Sequence, residues 1–206
     1  MRVLVACEYS ATVRDAFRAR GHHAWSCDLL PTEGNECYHY QCDVFDAIED
    51  RPWDLIIAHV PCNAMAVCGN STYGKGKARH QERLDALDWT LRVWDAASNV
   101  SPRIAFENGA SVLFPALRER RGADVQYIHP WQFGHPEQKK TGLALKGLPR
   151  LRETNNVYDH MMTLPRKDRE RIHFMSPGPD RTKERARFFQ GFADAMANQW
   201  GNFLNA

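Results

Sequence analysis

The chain of 206 residues predicts a single α/β domain, and three observations carry that expectation. Short apolar runs alternate with longer segments of helical spacing, starting strand, helix, strand, which is how a parallel α/β sheet opens. A composition of 43% apolar and 25% charged residues is that of an ordinary globular protein. The length suits one core, with no internal repeat and no linker dividing two domains. Residues 1–149 read as the core of the domain, and 150–206 as a basic extension and closing helix that complete it.

Arg2 to Cys7 is a short buried strand, and Ser10 to Arg20 a helix with Ala11, Val13, Ala16, Phe17 and Ala19 among its apolar positions, stopped by Gly21. His23 to Cys27 is the second strand and ends in Asp28. Between these strands Glu8, Tyr9 and Ser10 lead into a helix N-terminus, whose free N–H groups suit an anionic ligand group, with Ser10 a fair N-cap. Asp28, some 20 residues on, is placed for ribose hydroxyls, although the loop lacks the glycines of a dinucleotide fingerprint. Tyr38 to Cys42 reads as a third strand, and Asp43 opens a short helix through Glu49.

Leu55 to Ala58 is an apolar run that stops at Pro61 and Cys62, a buried strand delivering one cysteine to a sheet edge. Cys62 reads either as a nucleophile or as a buried structural thiol. Residues 69–80 are polar and contain glycine, with Lys75, Lys77 and Arg79. They suit a mobile loop that covers a site or touches phosphate, and equally an ordinary surface loop. Gln81 to Ala97 carries Leu84, Leu87, Leu91 and Trp94 near a period of 3.6 and reads as a core-packing helix. Arg103 to Phe106 is a strand ending in Glu107, Asn108 and Gly109, so two strand ends bring polar groups to one edge if both strands are parallel. Ser111 to Arg121 is a helix. Asp124 to Pro130 and Thr141 to Leu145 pair as a hairpin across a turn containing Lys139 and Lys140. After Pro149 the periodicity fades, and residues 150–187 hold ten basic side chains, Arg181 and Lys183 among them, against six acids. That stretch reads as a basic arm over nucleic acid or as a solvated extension. Ala186 to Leu204 closes as an amphipathic helix.

Six cysteines at 7, 27, 37, 42, 62 and 68 show no secreted disulfide spacing and are expected to be reduced thiols in a cytoplasmic protein. MRVLVACEYS is interrupted too early by Glu8 to be a signal peptide, and no apolar run approaches the length of a membrane span. Cys37, His39 and Cys42 make a poor zinc site, with no second pair at ligand spacing. A zinc deaminase is disfavoured because His80-Gln81-Glu82 follows Pro61-Cys62, the reverse of the required order. No metal is expected.

Pro61-Cys62 after one strand and Glu107-Asn108 after the next resemble the Pro-Cys and Glu-Asn motifs of DNA cytosine C5-methyltransferases. The likeness is collinear from Val3 to about Leu145 and looser to Trp200, and is closest to the short phage and prophage members, in which CEYS, WSCDLLP, WQFGH and AMAxQWG recur. It implies a Rossmann-like methyltransferase fold in three layers, a mostly parallel sheet with a late antiparallel strand, S-adenosylmethionine as cofactor and single- or double-stranded DNA as partner in a bacterial or phage-infected cell. Cys62 would add to cytosine C6, Glu107 would hold the ring near N3 and its amino group, Asn108 would position Glu107 and the loop, and Lys139 would stand in for the family's arginine. Glu8, Tyr9, Ser10, Asp28, Asp43 and Pro61 would line the cofactor. Lys75, Lys77, Arg79, Lys140, Arg181 and Lys183 would meet nucleic acid.

Three positions depart from the family pattern: Val60 for a second proline, Gly109 for the proline of the short members, and Ala11 for a loop glycine. No long target-recognition segment separates Leu145 from the last helix, which implies low sequence specificity, a single-stranded or nucleotide substrate, or a partner protein that supplies recognition. The competing expectation is a diverged relative that binds DNA, and possibly the cofactor, without turnover.

Overall fold

The computed structural model describes residues 1–178, 185 and 187–203, so Arg181 and Lys183 lie outside the described residues. Seven strands form one sheet in the order β3-β2-β1-β4-β5-β7-β6: β1 (Arg2–Ala6), β2 (His23–Asp28), β3 (His39–Gln41), β4 (Leu55–His59), β5 (Ile104–Gly109), β6 (Asp124–Ile128) and β7 (Thr141–Lys146). The first five run parallel, while β7 is antiparallel to both β5 and β6. The expected hairpin partners therefore pair, and β7 inserts between β5 and β6.

Side chains alternate across each strand, so every buried run feeds two cores. Leu4, Ala6, Ile56, Ala58, Ile104 and Phe106 face α2 (Val44–Glu49), α4 (His80–Val100) and α5 (Leu113–Arg121). Val3, Val5, Leu55, Ile57 and Ala105 share a core with Val13, Ala16 and Phe17 of α1 (Thr12–Arg18) and with Phe192, Ala193, Met196 and Trp200 of the last helix. Three layers result. The last helix, α9 (Gln190–Phe203), is anchored by Trp200, which is fully buried and donates from Nε1 to the Pro149 carbonyl at 2.9 Å. Gly191 permits this approach, because a Cβ there would meet the Phe133 carbonyl oxygen at 2.0 Å.

Several boundaries move for local reasons. Helix α1 starts at Thr12 because Ala11 adopts a left-handed conformation with φ 62. The third strand shrinks to His39–Gln41, since Glu36–Tyr38 is a 3-10 turn capped by the Asn35 side chain. Strand β5 extends through Gly109, paired along its length with β7, so Glu107 and Asn108 lie within the strand rather than beyond it. Residues 69–80 are no open loop: a 3-10 turn at Val67–Gly69 leads into α3 (Asn70–Tyr73) and a bend to α4. Among the described residues between β7 and α9 lie three short helices, α6 (Tyr158–Thr163), α7 (Arg166–Arg169) and α8 (Arg171–Phe174). No described helix is long and apolar enough to cross a membrane.

Candidate active site

Strands β1, β4 and β5 end along one edge, where parallel α/β sheets gather ligands. The chain after β4 turns at Pro61 and exposes Cys62. The Cys62 carbonyl accepts from the Met65 and Ala66 amides at 3.1 and 2.9 Å, closing a tight turn behind the thiol. Residues 65–67 are tied to the segment after β5, with Val67 donating to the Ala110 carbonyl and Val112 to that of Met65. Arg83 clamps the turn from α4. It is 6% exposed, and its guanidinium donates to the Ala64 carbonyl at 2.7 Å, the Asn70 Oδ1 at 2.7 Å and the Ala66 carbonyl at 3.0 Å. The helix expected only to pack the core therefore also orders the cysteine segment, and it turns Leu84 outward, 44% exposed.

The same alternation that builds the two cores places the polar groups. Asn108, on the Phe106 side, is buried and donates from Nδ2 to the Val60 carbonyl at 2.9 Å, fixing the residue before Pro61. Glu107, on the Ala105 side, pairs in register with His59, and its Oε2 lies 3.1 Å from the His59 Nδ1. The Phe188 ring covers His59 at 4.6 Å between centroids. Lys139 is half-buried and donates from Nζ to the Arg185 carbonyl at 3.3 Å. Burial raises the Cys62 thiol above its ordinary range and the Glu107 charge adds to that, while Lys139 and Arg185 pull it back. Although Cys62 is open at its surface, it sits low enough beside protein for desolvation to dominate. The structure thus brings Cys62, Glu107, Asn108 and Lys139 together from three distant stretches. It adds His59, Arg83, Arg185 and Phe188, which sequence reasoning passed over.

The cofactor candidates line the neighbouring part of the edge. Glu8 corrects one expectation: its carboxylate is 3% exposed and accepts from the Val13 and Arg14 amides at 2.7 and 3.1 Å. It occupies the start of α1 that was expected to receive an anionic ligand group. Burial raises the Glu8 pKa, opposed by His59 and by those amide bonds. Ser10 reaches the Thr12 amide only at 3.5 Å, and the Tyr9 carbonyl accepts from the Glu33 amide and the Thr32 hydroxyl, joining this loop to the one after β2. There Asp28 uses Oδ1 on the Leu30 amide, beside the exposed side chains of Leu29 (72%) and Leu30 (51%). His39 and Gln41 hold the carbonyls of Leu30 and Leu29. Asp43 caps α2 through the Phe45 amide. The Asp28 and Leu29-Leu30 corner offers a carboxylate beside apolar surface and fits an adenosine. The start of α1, already holding the Glu8 carboxylate, does not fit a carboxylate of the cofactor as well. A cavity of about 380 Å³ between α1 and α9 includes Ser10 and Thr12 but none of the residues around Cys62.

Of the basic candidates, Lys75 and Lys77 are exposed, and Arg79 is bound to Glu82 at 2.6 Å. Lys140 lies over the Tyr127 ring at 4.3 Å. Among the described residues no group of three or more His, Cys, Asp or Glu side chains could hold a metal ion.

No protein-family model matches the chain, and no curated protein sequence does. Solved structures do. A methyltransferase of Entamoeba histolytica superposes with a TM-score of 0.51 at 11% identity, covering 76% of this chain and 57% of that one. An E. coli prophage protein assigned as a DNA modification methyltransferase gives 0.44 at 14% identity over 81% and 56%. The bifunctional kinase-methyltransferase WbdD gives 0.45 at 10% identity over 74% and 38%. The chain spans less than two thirds of the length of each of these structures. The fold is the Rossmann-like fold of methyltransferases.

Proposed function

We propose that this methyltransferase-fold chain transfers a methyl group from S-adenosylmethionine to C5 of cytosine in DNA, with Cys62 as nucleophile. The observation that carries the reading is the meeting of an accessible cysteine, a carboxylate and a lysine at one sheet edge, where each influences the thiol. Cytosine C5 is a poor nucleophile, and addition of the Cys62 thiolate to C6 makes C5 enamine-like and able to take a methyl group. Glu107, with Oε2 held by His59, meets the ring near N3 and the amino group and stabilises charge as it develops. Asn108 fixes the Val60 carbonyl and so the approach of Cys62. Loss of the C5 proton and elimination of the thiolate restore the ring. The cofactor, when bound, supplies the electrophilic methyl group. Asp28 with Leu29 and Leu30 would hold its adenosine, and Tyr9, Ser10, Asp43 and Pro61 would border it.

We read the segment between β7 and α9, short helices where it is described, as too small for a long target sequence, and the acceptor as single-stranded or loosely specified. The target base must leave any duplex, because C6 is shielded in the stack.

A second reading, a DNA-binding relative without turnover, draws on the raised thiol of Cys62, because a raised pKa lowers the thiolate fraction. Nucleoside mass spectrometry decides between them. Mixed-sequence DNA, single- and double-stranded, is incubated with methyl-labelled cofactor and either wild type or Cys62→Ser. Labelled 5-methyldeoxycytidine from wild type alone supports transfer through Cys62. Equal DNA affinity of the two proteins with no product from either supports the second reading.

A further inference from the structure

His59 is the one histidine of the candidate site, and its surroundings are asymmetric. On one side its Nδ1 lies 3.1 Å from the Glu107 Oε2, and each side chain is only 12% exposed. Glu8 lies near enough for His59 to influence its ionisation. The Val13 and Arg14 amides hold both Glu8 oxygens, and no hydrogen bond joins Glu8 to the imidazole among the described residues. Phe188 covers the ring. The His59 Nε2 is buried and has no hydrogen-bond partner among the described residues. A histidine kept only for packing would be a poor choice here, since burying a polar atom without a partner is unfavourable and an apolar residue would fill the space.

We infer that His59 is the positioning residue for Glu107. Its Nδ1–H donates to Oε2 and locks the carboxylate, so that Oε1, which accepts no hydrogen bond from the described residues, is the oxygen presented to the pyrimidine. The register supports this assignment: His59 and Glu107 are direct partners on adjacent parallel strands, so the contact is set by the sheet itself. Phe188 packs against the imidazole and holds the ring in place. The inference rests on the reading of Glu107 as the base-binding carboxylate.

The test uses the full chain in two ways. With histidine labelled by nitrogen-15, one Nδ1 should carry a protected proton that disappears in both His59→Leu and Glu107→Ala. In methyl transfer to cytosine-containing strands, His59→Leu should lower kcat about 100-fold, the loss expected when a reacting group is misplaced by an ångström, with KM changed less than about threefold. His59→Asn, whose Nδ2 can replace the Nδ1 donor, should recover roughly tenfold or more of that loss. Equal losses in the Asn and Leu variants, an effect confined to KM, or no protected Nδ1 proton would overturn the inference. Wild type that transfers no methyl group but shows the Glu107-dependent proton would support the pairing and count against cytosine as the acceptor.

Discussion

A thiol must ionise to attack, and at Cys62 burial and Glu107 oppose ionisation while Lys139 and Arg185 assist it. Site-resolved alkylation across pH, read by peptide mass spectrometry to separate Cys62 from the exposed Cys37 and Cys68, should therefore show Cys62 titrating above an ordinary thiol. Glu107→Gln should shift that profile to lower pH and Lys139→Gln to higher pH; no movement in either would remove the electrostatic account. Glu8 gives a second signature. Its folded-state pKa is raised, so the folded protein holds the proton more tightly than the unfolded chain, and the stability this gives is present at low pH and lost as pH rises from about 4.5 through the folded value. Chemical denaturation of Glu8→Gln should show a flatter pH dependence across that window. At Ala11 the left-handed backbone costs an L-residue roughly 1–2 kcal/mol, against roughly 0.5–1 kcal/mol for the extra chain entropy of glycine. Ala11→Gly should therefore stabilise the fold by about 0.5–1 kcal/mol in urea unfolding. The sequence marked Ala11 as replacing a glycine, and the positive φ supplies the reason a glycine suits the position. That Cys62, Glu107, Asn108 and Lys139 would gather at one sheet edge was suggested by the order of strands along the chain and the family resemblance, and Cys62 by the proline that ends its strand. His59 was not, because one histidine closing an apolar run looks like core. Arg83 was missed because an arginine on a periodic helix is almost always solvated.

At the level of elements, the segment after Cys62 takes its order from outside itself. Its glycines and polar residues read as a loop, yet three donor bonds from Arg83 to residues 64, 66 and 70 hold it in short helical turns. Hydrogen bonds from a charged donor contribute about 1.5–3 kcal/mol each, so Arg83→Met should loosen this segment by several kcal/mol. The measurable outcome is faster amide exchange over residues 63–70, with β1 and β4 still protected; uniform loss of protection would mean global destabilisation instead. Strand and helix identity were readable from periodicity. The true end of β5 was not, because the pairing that carries it through Glu107 and Asn108 comes from β7, more than 30 residues later. The basic stretch after Pro149 offered no period to read, and the helices described in it, α6, α7 and α8, are only four to six residues long, too short to show one.

For the whole molecule, residues 1–60 hold ten acids and five arginines on a chain of net charge +2, so the positive charge is concentrated in the remainder. If that charge meets single-stranded DNA, the logarithm of affinity should fall with the logarithm of salt by about 0.7 per phosphate neutralised. Replacing the exposed Lys75 or Lys77 by alanine should lower that slope by up to about 0.7. A slope near zero would sever the link between the basic half and nucleic acid. The alternation of strands and helices was legible from composition and period, whereas the strand order is a property of pairing between distant segments.

The insertion of β7 between β5 and β6 also governs how the chain can be made. Because β7 is both late in sequence and interior in the sheet, a nascent chain that has left the ribosome only through β6 cannot join β6 to the rest. Until Thr141–Lys146 emerges, Ile104–Gly109 remains an open, apolar edge, the kind of strand that recruits a neighbouring chain. Synthesis of these six residues therefore covers the β5 edge and moves the end of the sheet out to β6, and truncations ending before residue 146 should precipitate rather than accumulate as folded fragments.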